Sequence, residues 1–203
     1  MKRNMYEWVD SLKTTAPKKT TPVLSFPAVQ LMGVTVRDLI SSSALQARGM
    51  ELVAQRVPSG ASVSLMDLSV EAECFGSQIR FTDDEVPTVV GSILSDEAAA
   101  EALTIPPIGA GRTRIYIEAI EKACTCITDR PVLAGVIGPF SLAGRLLDVT
   151  EAMVYCYSEP DMVHTVLTKV TDFLIRYIRA YKEIGANGVV IAEPLAGLLS
   201  PVL

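Results

Sequence analysis

The most telling hydrophobic run lies near the end of the chain, where contiguous β-branched Val189, Val190 and Ile191 follow a long helical repeat. Such a run predicts a strand buried on both faces, as in parallel sheets. Pro194 cannot donate to a ladder, so the pairing ends there and leaves Glu193 at the strand's carboxyl end. α/β proteins place their chemistry at that end, although a solvated loop carboxylate fits the residues equally well.

Earlier segments repeat the pattern. A short amphipathic helix is predicted over residues 5–12 on Met5, Trp8, Val9 and Leu12, and an extended Pro-punctuated segment over 22–28. Thr35 and Asp38 form a capping-box pattern that opens one helix running to the break at Pro58. Residues 61–67 read as a strand that also ends on a carboxylate, Asp67. A helical turn over 70–76, a brief strand over 78–81, a turn-rich loop over 82–87, a helix over 95–103 and a loop over 104–111 follow. The next helix, 112–127, buries Ile117, Ile120, Ala123, Cys124 and Ile127, and residues 131–137 form another buried strand ending in a Gly138–Gly144 loop. Ser158 and Asp161 are placed to cap the longest helix, which holds its apolar period up to Ile184.

Strands alternating with helices, with crossovers this long, predict a parallel α/β sheet. It is either an open doubly wound sheet or the first part of a (β/α)8 barrel. No glycine-rich turn has the spacing of a dinucleotide or phosphate loop. The expected division is an N-terminal helix and linker over 1–21 and a partial barrel domain over 22–203 whose C-terminal half is missing.

A net charge of −5 argues against nucleic acid or an anionic membrane as the partner. The first residues form neither a signal peptide nor a span, so a cytoplasmic location is expected. Cys74, Cys124, Cys126 and Cys156 show no disulfide framework. Cys124 and Cys126 are two apart on a helix and face different ways, so no metal is assigned to them.

Four ordered blocks, residues 66–76, 81–87, 138–144 and 191–201, resemble the uroporphyrinogen decarboxylase superfamily. Within it they are most similar to the branch of methylcobamide:coenzyme M methyltransferases and related corrinoid-dependent enzymes. The resemblance covers roughly residues 20–201 and implies a TIM-type barrel of which this chain is the N-terminal part. The decarboxylases carry an arginine-rich segment near the N-terminus that holds a many-carboxylate tetrapyrrole, whereas no arginine occurs here between Arg3 and Arg37. Each unpaired desolvated substrate charge would cost about 2–5 kcal/mol, which disfavours that activity.

The methyltransferase branch implies a zinc that activates a small thiol such as coenzyme M, with ligands expected beyond residue 203. It also implies a methylcobamide carried by a separate corrinoid protein. Nothing here is assigned as a metal ligand, and His164, the only histidine, reads as structural. Asp67 matches the strand-end aspartate that in the decarboxylases contacts pyrrole nitrogens, with a helix N-cap as the alternative. Glu193 would face the same cavity. Gly138, Pro139, Phe140 and Ser141 would form a loop over the pocket or a plain tight turn, and Arg112 would grip an anionic group such as a sulfonate or lie on the surface.

Overall fold

The computed structural model describes residues 3–24 and 26–200. Ser25, inside the segment expected to be extended, and Pro201 of the last block lie outside them.

Three strands, β1 (Ser62–Val63), β4 (Val132–Ile137) and β5 (Gly188–Ala192), form a parallel sheet in the order β1-β4-β5. Val63 pairs with Leu133, and residues 133–137 of β4 pair with residues 188–192 of β5. Helix α4 (Ser43–Arg56) leads into β1, α7 (Thr113–Cys126) precedes β4, and α10 (Pro160–Glu183) precedes β5. All three helices pack on one face of the sheet, against Val132, Ala134, Val136 and Val189. The other face carries Ala61, Val63, Leu133 and Val190, packed with Met5 and Trp8 of α1 (Met5–Thr14). The three helices that precede the strands share one face, as in the outer layer of a barrel, but the unreversed order β1-β4-β5 is also that of one half of a doubly wound sheet, so these three strands do not by themselves separate the two sheet types. Trp8 Nε1 donates to the Gly60 carbonyl at 3.1 Å and anchors α1 beside the start of β1.

Several elements differ from the sequence expectations. The extended segment over 22–28 gives way to a short helix, α2 (Ala28–Met32). The helix expected over 36–57 is two, α3 (Val36–Ser41) and α4. Ser42 between them is extended, and its hydroxyl accepts from Leu45 N–H, a cap that a serine run supplies locally. Thr35 and Asp38 form the full capping box on α3. The brief strand β2 (Gln78–Arg80) pairs antiparallel with β3 (Thr88–Val90), which the pattern had not revealed.

Residues 138–144 are no loop but the start of helix α8 (Pro139–Leu147), followed by α9 (Val149–Ser158). Ser158 therefore ends α9 instead of capping α10. The α10 N-cap position is Glu159, with Pro160 at the first helical position, where its missing N–H costs nothing. No helix among the described residues is long and apolar enough to cross a membrane.

Candidate functional site

The carboxyl end of the sheet is where the three strands stop satisfying one another. β1 leaves the ladder after Ser64 N–H bonds to the Leu133 carbonyl, so the β4 amides beyond need other partners. Ser64 Oγ accepts from Gly135 N–H at 2.8 Å, and Glu71 Oε1 accepts from Ile137 N–H at 3.1 Å. On the opposite edge Gly138 N–H donates to the Ala192 carbonyl at 2.7 Å.

Asp67, just past β1, has a fully buried side chain. Its Oδ1 accepts from Ser69 N–H at 3.0 Å and Ser69 Oγ–H at 2.6 Å, which fixes the turn into α5 (Val70–Cys74). Its Oδ2 accepts from the Tyr116 hydroxyl at 2.9 Å and from Arg112 Nη1. Arg112 is equally committed: Nε donates to Glu73 Oε2 at 2.6 Å, Nη2 to Ser69 Oγ at 2.8 Å, and the guanidinium lies 4.9 Å from the Phe81 ring centroid. Burial works to lower the Arg112 pKa, but Asp67, Tyr116 and Glu73 around it hold it above its usual value. Burial, reinforced by Asp67, pushes the Tyr116 hydroxyl well above its usual range and keeps it a neutral donor.

Glu193 forms a second cluster. Its carboxylate accepts from Phe140 N–H at 2.8 Å, Ser141 N–H at 2.9 Å and the Ser141 hydroxyl, so an acid from beyond β5 caps the N-terminus of α8. Gly138 is required at this point because a Cβ there would stand 2.2 Å from Glu193 Oε2. The group that approaches the Gly138 backbone is thus Glu193.

The structure brings Asp67 to Arg112, and Glu193 to Gly138, Pro139, Phe140 and Ser141, on either side of β4. No hydrogen bond links the two clusters among the described residues. Arg112 is neither a surface arginine nor a free anion grip, since each of its nitrogens has a partner.

Three further residues belong to this end of the sheet. Tyr116 lies four residues after Arg112, and that i, i+4 spacing was a legible sign that both serve one neighbour. Glu71 stands one turn after Asp67 and is 3% exposed; its Oε2 has no hydrogen-bond partner among the described residues. Burial pushes its pKa up to about 7, with Asp67 adding to the shift and the Ile137 amide and Arg145 opposing it. Arg145, on α8, is partly buried; burial lowers its pKa, and the charges of Asp67 and Glu71 act in the opposite direction. Only tertiary packing puts α5 against α8, so no sequence spacing signalled this pair.

The sign of the Glu71 effect on stability follows from its raised pKa. Between about pH 4.5 and 7 the unfolded chain loses the proton that the folded protein keeps, so stability is greatest below that window and falls as pH rises through it. Glu71→Gln is expected to remove a loss on the order of 3 kcal/mol across the window, visible as the difference between urea unfolding curves of the two proteins against pH.

Zinc does not fit the described residues. No three His, Cys, Asp or Glu side chains among them converge on one point. His164 lies on the exposed side of α10, and the Cys74 thiol donates to the Ala110 carbonyl and is pushed up by burial.

The family model described as uroporphyrinogen decarboxylase matches residues 17–203. A uroporphyrinogen decarboxylase from Xylella fastidiosa is 25% identical over 156 residues, 73% of this chain and 44% of its own. A methylcobamide:CoM methyltransferase, MtaA, from Methanosarcina barkeri is 29% identical over 138 residues, 66% of this chain and 41% of its own. The chain thus spans under half the length of the curated relatives it matches. A solved methyltransferase from Methanosarcina mazei superposes with a TM-score of 0.80 at 23% identity, over 93% of this chain and 57% of that one. This likeness is one of fold, and it agrees with α4, α7 and α10 lying on one face of the sheet.

Proposed function

The chain belongs to the uroporphyrinogen decarboxylase family, and from that premise we propose that the whole protein transfers a methyl group from a methylated corrinoid protein to a small thiol such as coenzyme M, in the cytoplasm. The observation that carries the proposal is the charge balance at the carboxyl end of the sheet. Asp67, Glu71, Glu73 and Glu193 stand there against two guanidinia, one of which, Arg112, is fully engaged inside the protein. A tetrapyrrole bearing many carboxylates needs an array of free guanidinium forks, whereas a thiol with a single anionic group needs one.

The residues of this chain act by position. Arg112 and Tyr116 hold Asp67 in one orientation with its charge compensated, which fixes the turn from the end of β1 into α5. Glu193 clamps α8 to the end of β5 and fixes the rim formed by Phe140 and Ser141. The zinc of this proposal has no ligand set among the described residues, and its ligands are assigned to sequence outside them.

Decarboxylase relatives favour a second activity, the loss of carboxylate groups from uroporphyrinogen. Against it, both oxygens of Asp67 already accept bonds from the protein's own donors, leaving little capacity for pyrrole N–H groups.

Whole protein incubated with methylcobalamin and 2-mercaptoethanesulfonate tests the proposal. Thiol-dependent demethylation of the cobalamin, followed by its absorbance, is expected, together with bound zinc in metal analysis. Loss of carboxylates from uroporphyrinogen III without methyl transfer would replace it with the decarboxylase activity.

A further inference from the structure

Arg145 is the cation at this end of the sheet that the protein leaves unused. It has no hydrogen bond or ion pair with any described residue, although it is partly buried on a helix otherwise packed into the core. A partly desolvated guanidinium without a partner is costly unless something supplies one. Its nearby opposite charges are Asp67 and Glu71. Asp67 has both oxygens engaged by Ser69, Arg112 and Tyr116, so Glu71, whose Oε2 is unpartnered, is the acid with capacity left.

We propose that Arg145 is the anion-binding residue of this site, taking one small sulfonate or carboxylate, and that the proton on Glu71 decides whether Arg145 is free to do so. The inference deepens the proposed function and rests on it for the natural ligand, which would be a thiol carrying one such group. With Glu71 neutral, two carboxylates, Asp67 and Glu73, stand against two guanidinia, Arg112 and Arg145, and an added anion meets no excess negative charge. With Glu71 ionised, a third carboxylate stands beside Arg145 and competes with the ligand. The other titratable groups near Glu71 hold their protons: Tyr116 from α7, Tyr177 and Tyr181 from α10, and Cys74 from its own helix are all pushed upward by burial. Glu71 is thus the group here that changes charge near neutrality.

The test uses whole protein and ethanesulfonate, which lacks the thiol and so reports anion binding without methyl transfer. Isothermal titration at about pH 6 and about pH 8, one unit either side of the Glu71 value of about 7, should show affinity about fivefold weaker at the higher pH. Glu71→Gln should bind equally at both. Arg145→Gln should lose about tenfold or more at the lower pH, and Arg145→Lys should recover most of it. In the unmutated protein, saturating ethanesulfonate should raise the Glu71 carboxyl midpoint, followed by carboxyl NMR, by about one unit through reciprocal linkage.

Unchanged binding in folded Arg145→Gln, or an unmoved Glu71 midpoint in the presence of bound ethanesulfonate, would overturn the inference. The proposed function would survive either result if thiol-dependent demethylation is seen. Failure of that reaction alongside Arg145-dependent binding would sink the function and leave the anion site standing.

Discussion

Replacing Arg112 with alanine is expected to lower the stability of the protein by about 3–5 kcal/mol, the cost typical of removing one partner of a buried ion pair. Its side chain is 10% exposed and that of Asp67 is 0% exposed, so the carboxylate left behind could not recover solvent. The loss would also release Glu73 and Ser69 and uncover the face of Phe81. Arg112→Lys is expected to recover only part of the stability, because an ammonium is a point charge and cannot reach Asp67, Glu73 and Ser69 from fixed directions at once. Urea unfolding with an unchanged slope and a lowered midpoint would report this. Arg145→Ala provides the contrast: a cation with no direct partner should cost about 1 kcal/mol or less. If the two alanine variants lost equal stability, the division between a structural Arg112 and a ligand-binding Arg145 would fail.

That division shows which parts of the site the residues announced and which they did not. The apolar run 132–137 reads directly as a buried parallel strand and is buried at every position, whereas 189–191, read the same way, forms the parallel strand at the sheet edge, with Val189 and Val190 half-buried and Ile191 52% exposed. Asp67 and Glu193 were legible as strand-end acids because position alone marks them. Their partners were not legible, since a hydrogen bond between residues 45 or 53 positions apart leaves no local trace. The misreading of residues 138–144 has the same origin. Gly138 and Pro139 look like a turn until Glu193 arrives from another strand and supplies the cap that lets a helix begin at once. Glu71 was read only as part of a helical turn, for its raised pKa is a property of the packing of α5 against α8, which no spacing within 66–76 encodes.

The clamp between Glu193 and Gly138 yields the second large effect. Gly138→Ala is expected to destabilise by about 2–4 kcal/mol, combining the usual cost of overpacking with loss of a charged helix cap. Backbone conformation contributes nothing to that cost, because Gly138 sits at φ −79° and ψ 158°, which alanine adopts freely. The cost comes from Glu193 alone: the new Cβ would meet its Oε2 at 2.2 Å, its Cβ at 2.5 Å and its Cδ at 2.6 Å. The Gly138 amide is at the same time bonded to the Ala192 carbonyl at 2.7 Å, so the two backbones cannot part without breaking the end of the β4–β5 ladder.

A double-mutant cycle therefore has a defined outcome. Beside Glu193→Ala the Gly138→Ala cost should shrink only in part, since the Cβ contact survives. Beside Glu193→Gly all three contacts vanish and the cost should fall to about 1 kcal/mol or less, a coupling of at least about 1 kcal/mol. A Gly138→Ala cost that stays the same in both backgrounds would mean that Glu193 does not occupy the space against Gly138, and the clamp that orders the rim of the site would be lost with it.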